Sequence, residues 1–247
     1  YPTIRCTVTQ DFGFKDAEKK IPIAVTTSLH DSTSFWIATW GRGLCRINRS
    51  TGERKYFLPG KTDQDNYIND VVFFNGEILV GNFSGLLRFD LVTQKFKPFK
   101  QLTDPSLVRL PVAGIAKDDH SNVWISLIGD NGVLKYDSAH GSFQRFTLKD
   151  TGSFHLPFRH FTGWAQSSDG VIYIGYNRSK GIACYRQGQD RFEPCLVGAV
   201  GNYDDQVNCL LTDGPFLWIG SNSGLCRIEP SSGKTEFYTR KEGLNCN

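Results

Sequence analysis

The chain has 247 residues, of which 39% are hydrophobic, 21% charged and 13% aromatic, and 28 Lys and Arg against 25 Asp and Glu leave a formal net charge of +3. That is the composition of a folded domain with ample core, and its even charge gives no reason to expect a nucleic-acid groove or an anionic membrane partner. No apolar run approaches the roughly 20 residues of a membrane helix, and the first residues lack a signal-peptide pattern. There is no Met even at position 1, so the chain reads as a processed or excised piece, with any export signal or anchor outside it.

Residues 4–8, followed by Gln10-Asp11-Phe12-Gly13, look like an outermost strand with its exit loop, assigned to 1–15. Asp16-Ala17-Glu18-Lys19-Lys20 reads as a loop before the strand-like Ile21-Pro22-Ile23-Ala24-Val25. From there one unit recurs. Its marker is Phe35-Trp36-Ile37-Ala38, then Ile78-Leu79-Val80-Gly81, Val123-Trp124-Ile125-Ser126, Ile172-Tyr173-Ile174-Gly175 and Leu217-Trp218-Ile219-Gly220, at intervals of 43, 45, 49 and 45 residues. Before each marker runs an apolar strand that ends in a turn, as Val71-Val72-Phe73-Phe74 meets Asn75-Gly76 and Cys209-Leu210-Leu211 precedes Asp213-Gly214. After it come a polar loop and a strand opening on glycine, such as Gly43-Leu44-Cys45-Arg46-Ile47 or Gly224-Leu225-Cys226-Arg227-Ile228. A turn such as Ser50-Thr51-Gly52 or Ser231-Ser232-Gly233 then leads to an outer strand like Arg54-Lys55-Tyr56-Phe57 or Thr235-Glu236-Phe237-Tyr238. Gly and Asn accept positive φ cheaply, so these turns suit hairpins.

Four short antiparallel strands in about 45 residues are the blade of a β-propeller. The expected fold is all-β, with blades over 21–60, 67–101, 110–149, 158–199 and 205–240 and the start of a further blade at 241–247. One orphan outer strand and one orphan beginning imply a fragment of a larger ring, or an unusual five-bladed closure. Trp36, Trp124 and Trp218 are read as packing residues between blades, with the small residue letting sheets approach.

The consensus of aromatic-Ile-Gly, loop, Gly-Leu-x-Arg, Ser/Thr-Gly turn, aromatic strand and Glu242-Gly243-Leu244-Asn245 exit resembles the two-component regulator propeller repeat. The fifth repeat matches best, the first nearly as well, and the fourth is the most degraded. The resemblance implies the extracytoplasmic, periplasmic sensor region of a Bacteroidetes hybrid histidine kinase, which senses oligosaccharides, does no chemistry itself and dimerises through the full-length sensor. It identifies the scaffold and leaves the ligand to the loops.

Loops joining second to third strands, and connections between blades, open on one face of a propeller. There the ligand-binding candidates are Trp40, Arg42, Asn82, Arg109, Arg159, Tyr176, Arg178 and Tyr203, because Arg beside aromatic rings suits an oligosaccharide, stacking its apolar faces and reaching hydroxyls or carboxylates, with an anionic glycan the sharper expectation. No phosphate loop, Cys-x-x-Cys or His-x-x-x-His spacing is present, so no cofactor, metal or catalytic residue is expected. Asp118-Asp119 and Asp204-Asp205 fall at turns and read as solvated turn residues. Cys184 and Cys195 flank the outer hairpin of the fourth blade, where a disulfide is expected in an oxidising compartment. Cys45 and Cys226 share one repeat position and read as small buried apolar residues. Two alternatives stand beside the sensor: a glycan lyase or hydrolase with His155 and His160 at its mouth, and a protein- or polysaccharide-binding scaffold of a surface or secretion assembly.

Overall fold

The computed structural model describes residues 24–147, 161–176, 182–189, 191–196 and 207–244, with backbone only at 161, 162 and 176. The expected outer strand at 1–15 and loop at 16–20 lie outside these residues. Blade 1 comprises β1 (Val25–His30), β2 (Ser34–Thr39), β3 (Leu44–Asn48) and β4 (Arg54–Phe57). Blade 2 comprises β5 (Ile68–Phe74), β6 (Glu77–Asn82), β7 (Gly85–Asp90) and β8 (Lys95–Pro98). Blade 3 holds β9 (Val112–Lys117), β10 (Val123–Leu127), β11 (Val133–Asp137) and β12 (Ser142–Phe146). Blade 4 holds β13 (Phe161–Gln166), β14 (Ile172–Tyr176), β15 (Ile182–Tyr185) and β16 (Phe192–Cys195), and blade 5 holds β17 (Val207–Asp213), β18 (Phe216–Ser221), β19 (Gly224–Glu229) and β20 (Lys234–Tyr238). Each blade is a four-stranded antiparallel sheet in simple chain order. The first strands β1, β5, β9, β13 and β17 each pack on the next, while no contact of comparable extent joins β17 to β1 among the described residues.

The repeat explains its own residue types. Trp36 and Trp124 are 3% and 0% exposed, each turned toward the following blade. Trp124 meets Tyr185 at 4.7 Å and Phe192 at 5.8 Å across the blade 3–blade 4 boundary. In blade 2 Leu79 takes this place, and Phe74, Phe99 and Tyr136 fill the space instead. The cation of the Gly-Leu-x-Arg stretch sits directly opposite the aromatic in the neighbouring strand: Arg46 pairs with Trp36, Lys135 with Trp124 and Arg227 with Trp218. Each cation lies 5.3 to 5.7 Å from its indole centroid, a cation–π geometry. At the marker's small residue, a Cβ on Gly81 would fall 2.5 Å from Val112 Cγ1 of the next blade. The glycine that opens β7 and β19 has φ 131° at both Gly85 and Gly224, a conformation that side chains resist.

Two aspartates tie the buried indoles to the preceding turn. Asp31 accepts hydrogen bonds from Trp36 Nε1 (2.9 Å), Thr33 N, Thr33 Oγ1 and Ser34 N. Burial works to raise its pKa, but these donors prevail and hold the carboxyl down at about 2. Asp118 repeats the pattern with Trp124 Nε1 (3.0 Å), Asn122 N, Asn122 Nδ2 and His120 N.

Each first strand bulges at its second residue: Thr26, Asn69, Ala113, Thr162 and Asn208 interrupt the pairing with the following strand. A bulge re-aims a side chain out of the ladder. Thr26 Oγ1 uses this to donate to Ile68 O (2.8 Å), and Asn69 Nδ2 to Val112 O (2.7 Å), so each stitches its blade to the start of the next.

Cys184 and Cys195 are disulfide-bonded with Cα atoms 5.8 Å apart. They are diagonal rather than directly opposite, since Cys184 pairs with Glu193 and Cys195 with Ile182. Cys45 and Cys226 are buried, and burial pushes the Cys226 thiol up to about 11. Two short helical turns depart from the all-strand expectation. α1 (Asp63–Asn66) is closed by a capping box between Thr62 and Asp65. Arg240–Glu242, where a further blade was expected to begin, forms a 3₁₀ turn capped by Thr239 and ended by Gly243 at φ 99°.

Candidate functional site

Because strands alternate in direction, the β2–β3 and β6–β7 loops emerge on the same face as the connections that enter β5 and β9. Three rings meet there. Trp40 follows β2, Tyr67 precedes β5 and forms an isolated bridge with Trp40, and Phe83 lies in the β6–β7 turn. Centroids are 6.1 Å apart for Trp40–Tyr67, 6.4 Å for Trp40–Phe83 and 6.3 Å for Tyr67–Phe83, with interplanar angles of 57°, 60° and 83°. Trp40 is 49% exposed. Its Nε1 donates to Asn69 Oδ1 at 3.0 Å, the bulged residue whose Nδ2 reaches blade 3. Trp40 N also donates to Ala24 O, and Gly41 N to Asn66 O.

The sequence candidates separate on this face. Trp40 belongs to the cluster. Asn82 does not offer itself: it is 0% exposed, with Nδ2 donating to Asp65 O and Oδ1 accepting from Ser84 N, so its amide is consumed in holding the turn. Arg42 stands within electrostatic reach of Tyr56, where burial pushes the hydroxyl up and the charges of Arg54 and Arg42 oppose that push. Tyr56 pairs with Cys45, which packs with Ile37 on the side of blade 1 away from blade 2. Arg109 is exposed in the connection entering blade 3, its Cα 3.4 Å from where a Gly85 Cβ would lie. Tyr176 ends β14, and Arg159, Arg178 and Tyr203 lie outside the described residues. Tyr67 and Asn69 escaped the sequence reading. The signal that marks them is position, immediately before and at the bulge of a first strand.

Beside the rings, the Asp65 carboxylate accepts from Ser84 Oγ (2.5 Å) and Thr62 Oγ1 (2.7 Å), and these bonds hold it below the ordinary carboxylate range. Deeper between the blades, burial pushes Asp70 up to about 6 against bonds from Ile115 N, Val71 N and the Thr27 side chain.

The opposite face carries a cleft of about 510 Å³ between blades 3 and 4, lined by Asp119, His120, Asp169 and Arg186 among others. Asp118, Asp119 and His120 place ligand-type atoms within 4.8 Å of one another. Their commitments are structural: Asp118 already takes four donors, and Asp119 exchanges two hydrogen bonds with the Gln166 amide of blade 4. His155, His160, Asp204 and Asp205 lie outside the described residues.

Five four-stranded antiparallel blades, each packed on its predecessor, make the protein a β-propeller. Solved structures share the architecture. Over 88% of this chain and 28% of the other, it superposes with the extracellular domain of a B. thetaiotaomicron protein named as a hybrid two-component system, at TM-score 0.68 and 21% identity. A second such domain from the same organism gives TM-score 0.68 and 20% identity over 86% of this chain and 29% of that one. Virginiamycin B lyase from Staphylococcus aureus gives TM-score 0.65 and 13% identity over 87% and 69%. At these identities the likeness is one of fold, and the chain spans less than a third of the two-component neighbours' length. No family model and no curated protein matches the chain.

Proposed function

We propose that the chain is part of the extracytoplasmic sensor propeller of a two-component signalling protein, that it recognises an oligosaccharide, and that it performs no chemistry itself. The observation that carries this reading is the exposed, internally braced aromatic cluster on the face where propeller loops converge. The neighbours named as extracellular domains of hybrid two-component systems support the sensor context. No helix among the described residues is long and apolar enough to cross a membrane, which accords with an ectodomain of an inner-membrane sensor. In the full-length protein, signalling would act through a homodimer.

A thermal-shift screen against neutral and acidic oligosaccharides tests the reading. Ligand at 100 times its Kd stabilises the folded state by about 2.7 kcal/mol. A selective shift is expected. A cooperative melt unmoved by every saccharide refutes sugar sensing and favours a protein-binding scaffold. The lyase neighbour supplies a second reading. Metal-dependent turnover of a glycan, abolished in His155→Ala or His160→Ala, would replace the sensor with an enzyme.

A further inference from the structure

We infer that Trp40, Tyr67 and Phe83 form a stacking subsite for the apolar face of a neutral pyranose ring, with Asn69 as the residue that positions the indole. The inference rests on the oligosaccharide reading and assigns it to particular atoms and one class of sugar.

Four tryptophans of the described residues are spent inside the protein or half-covered: Trp36 and Trp124 are buried, and Trp164 and Trp218 are intermediate. Trp40 alone among the described residues is an exposed tryptophan, and it is not a loose one. Its backbone is pinned by the bridge to Tyr67 and the bond to Ala24 O. Its polar atom is satisfied by Asn69, so what it turns to solvent is a hydrocarbon face with a fixed orientation. Both ends of the Asn69 amide are engaged, on Trp40 and on Val112 O, so the indole cannot turn without breaking a bond between blades. A rigid ring loses little freedom when a ligand settles on it.

The surroundings choose the sugar. The axial C–H groups of a pyranose match an aromatic face, while its hydroxyls need acceptors at the rim. Asp65, whose carboxylate already accepts from Ser84 Oγ, Thr62 Oγ1 and Thr62 N, places a negative charge next to the turn that carries Phe83. That charge repels a uronate. Neutral sugar is therefore favoured over acidic sugar at this subsite.

The test uses the chain with two probe sets, neutral di- to hexasaccharides and oligogalacturonides, reading the melting midpoint, affinity and acrylamide quenching of tryptophan fluorescence. A neutral saccharide is expected to raise the midpoint and shield Trp40 from quencher. Trp40→Ala and Phe83→Ala should each weaken binding at least tenfold, and Trp40→Phe, which keeps a ring, should weaken it less. Asn69→Ala should increase quenching of Trp40 and lower affinity, whereas Thr26→Ala, which removes the equivalent stitch in blade 1, should leave affinity unchanged. Unaltered affinity in Trp40→Ala and Phe83→Ala overturns the subsite and leaves oligosaccharide sensing standing. Binding of oligogalacturonides alone overturns the neutral assignment. If no saccharide binds a cooperatively melting chain, the subsite and the sensing reading fall together.

Discussion

The link between Asp118 and Trp124 is open to a quantitative test by double-mutant cycle. Trp124 is fully buried among Phe146, Trp164, Tyr185 and Phe192, and its Nε1 donates to Asp118 at 3.0 Å. Trp124→Phe removes one bond to a charged acceptor, about 1.5–3 kcal/mol, and leaves a small void. A total loss of about 2–4 kcal/mol follows. Asp118→Ala deprives four donors at once, two of them on the buried Asn122. At about 1–3 kcal/mol for each of the three buried donors left bare, with water reaching the exposed His120 N–H, a loss of at least about 3 kcal/mol is expected. The double mutant should be more stable than the sum predicts by about 1–2 kcal/mol, since the shared bond is counted twice in the singles. Urea unfolding followed by far-UV circular dichroism and by fluorescence measures all four proteins, provided the two transitions coincide. Trp218→Phe is the control: its indole stacks on Tyr238 at 5.9 Å, is half-buried and carries no such aspartate bond among the described residues, so its loss should be about 1 kcal/mol. Additivity of the Asp118 and Trp124 changes within about 0.4 kcal/mol would show that the bond does not couple turn to core.

Gly81→Ala should cost about 1–3 kcal/mol by forcing blade 3 outward, and Val112→Ala should restore part of that loss, both read as urea midpoints. The raised pKa of Asp70, from 3.8 to about 6, means the unfolded chain ionises first as pH climbs. Stability from this group is therefore present below pH about 4 and is lost as pH rises to about 6, a change on the order of 3 kcal/mol that Asp70→Asn should flatten in a melting series. Asp31 acts in the opposite sense: its pKa is lowered to about 2, so its contribution is present above pH about 4 and fades as pH falls through about 2. Cys184→Ser should destabilise by about 3 kcal/mol under oxidising conditions, as expected for releasing a short loop, and by less under reduction, where only the burial of a hydroxyl in place of a thiol remains. Their sequence separation is 11.

The blades were legible because the repeat writes its packing into residue types. Trp opposite Arg or Lys, a small residue where the next blade docks, and glycine at positive φ all recur at one spacing. What escaped was what a bulge or a turn does to direction. Asn69 lies in a stretch that reads as plain strand, and only the bulge turns its amide toward Trp40 and Val112. Asp31 and Asp118 look like ordinary turn acids, yet they hold indoles five and six residues further on. Topology sets the face on which the Arg42 and Asn82 loops lie, but it does not say which way a side chain leaves its loop. Asn82 turns inward to Asp65 O. The α1 turn was hidden in a polar stretch, since a four-residue helix has no hydrophobic period to detect.

The order in which the blades pack has a consequence for how the molecule comes apart. Among the described residues, blades 2, 3 and 4 each share two large faces with neighbours, whereas blade 5 meets blade 4 on one side, and on the other Leu211 is exposed and Trp218 and Tyr238 are half-buried. In a quasi-one-dimensional stack, local stability is a sum of a unit's own term and its nearest-neighbour terms, so a unit with one interface opens more often than a unit with two. Amide exchange should therefore grade along the chain, slowest in β10 and β11 and faster in β18 and β19, and whatever later covers the Trp218 face would slow blade 5 without touching the aromatic cluster in blades 1 and 2.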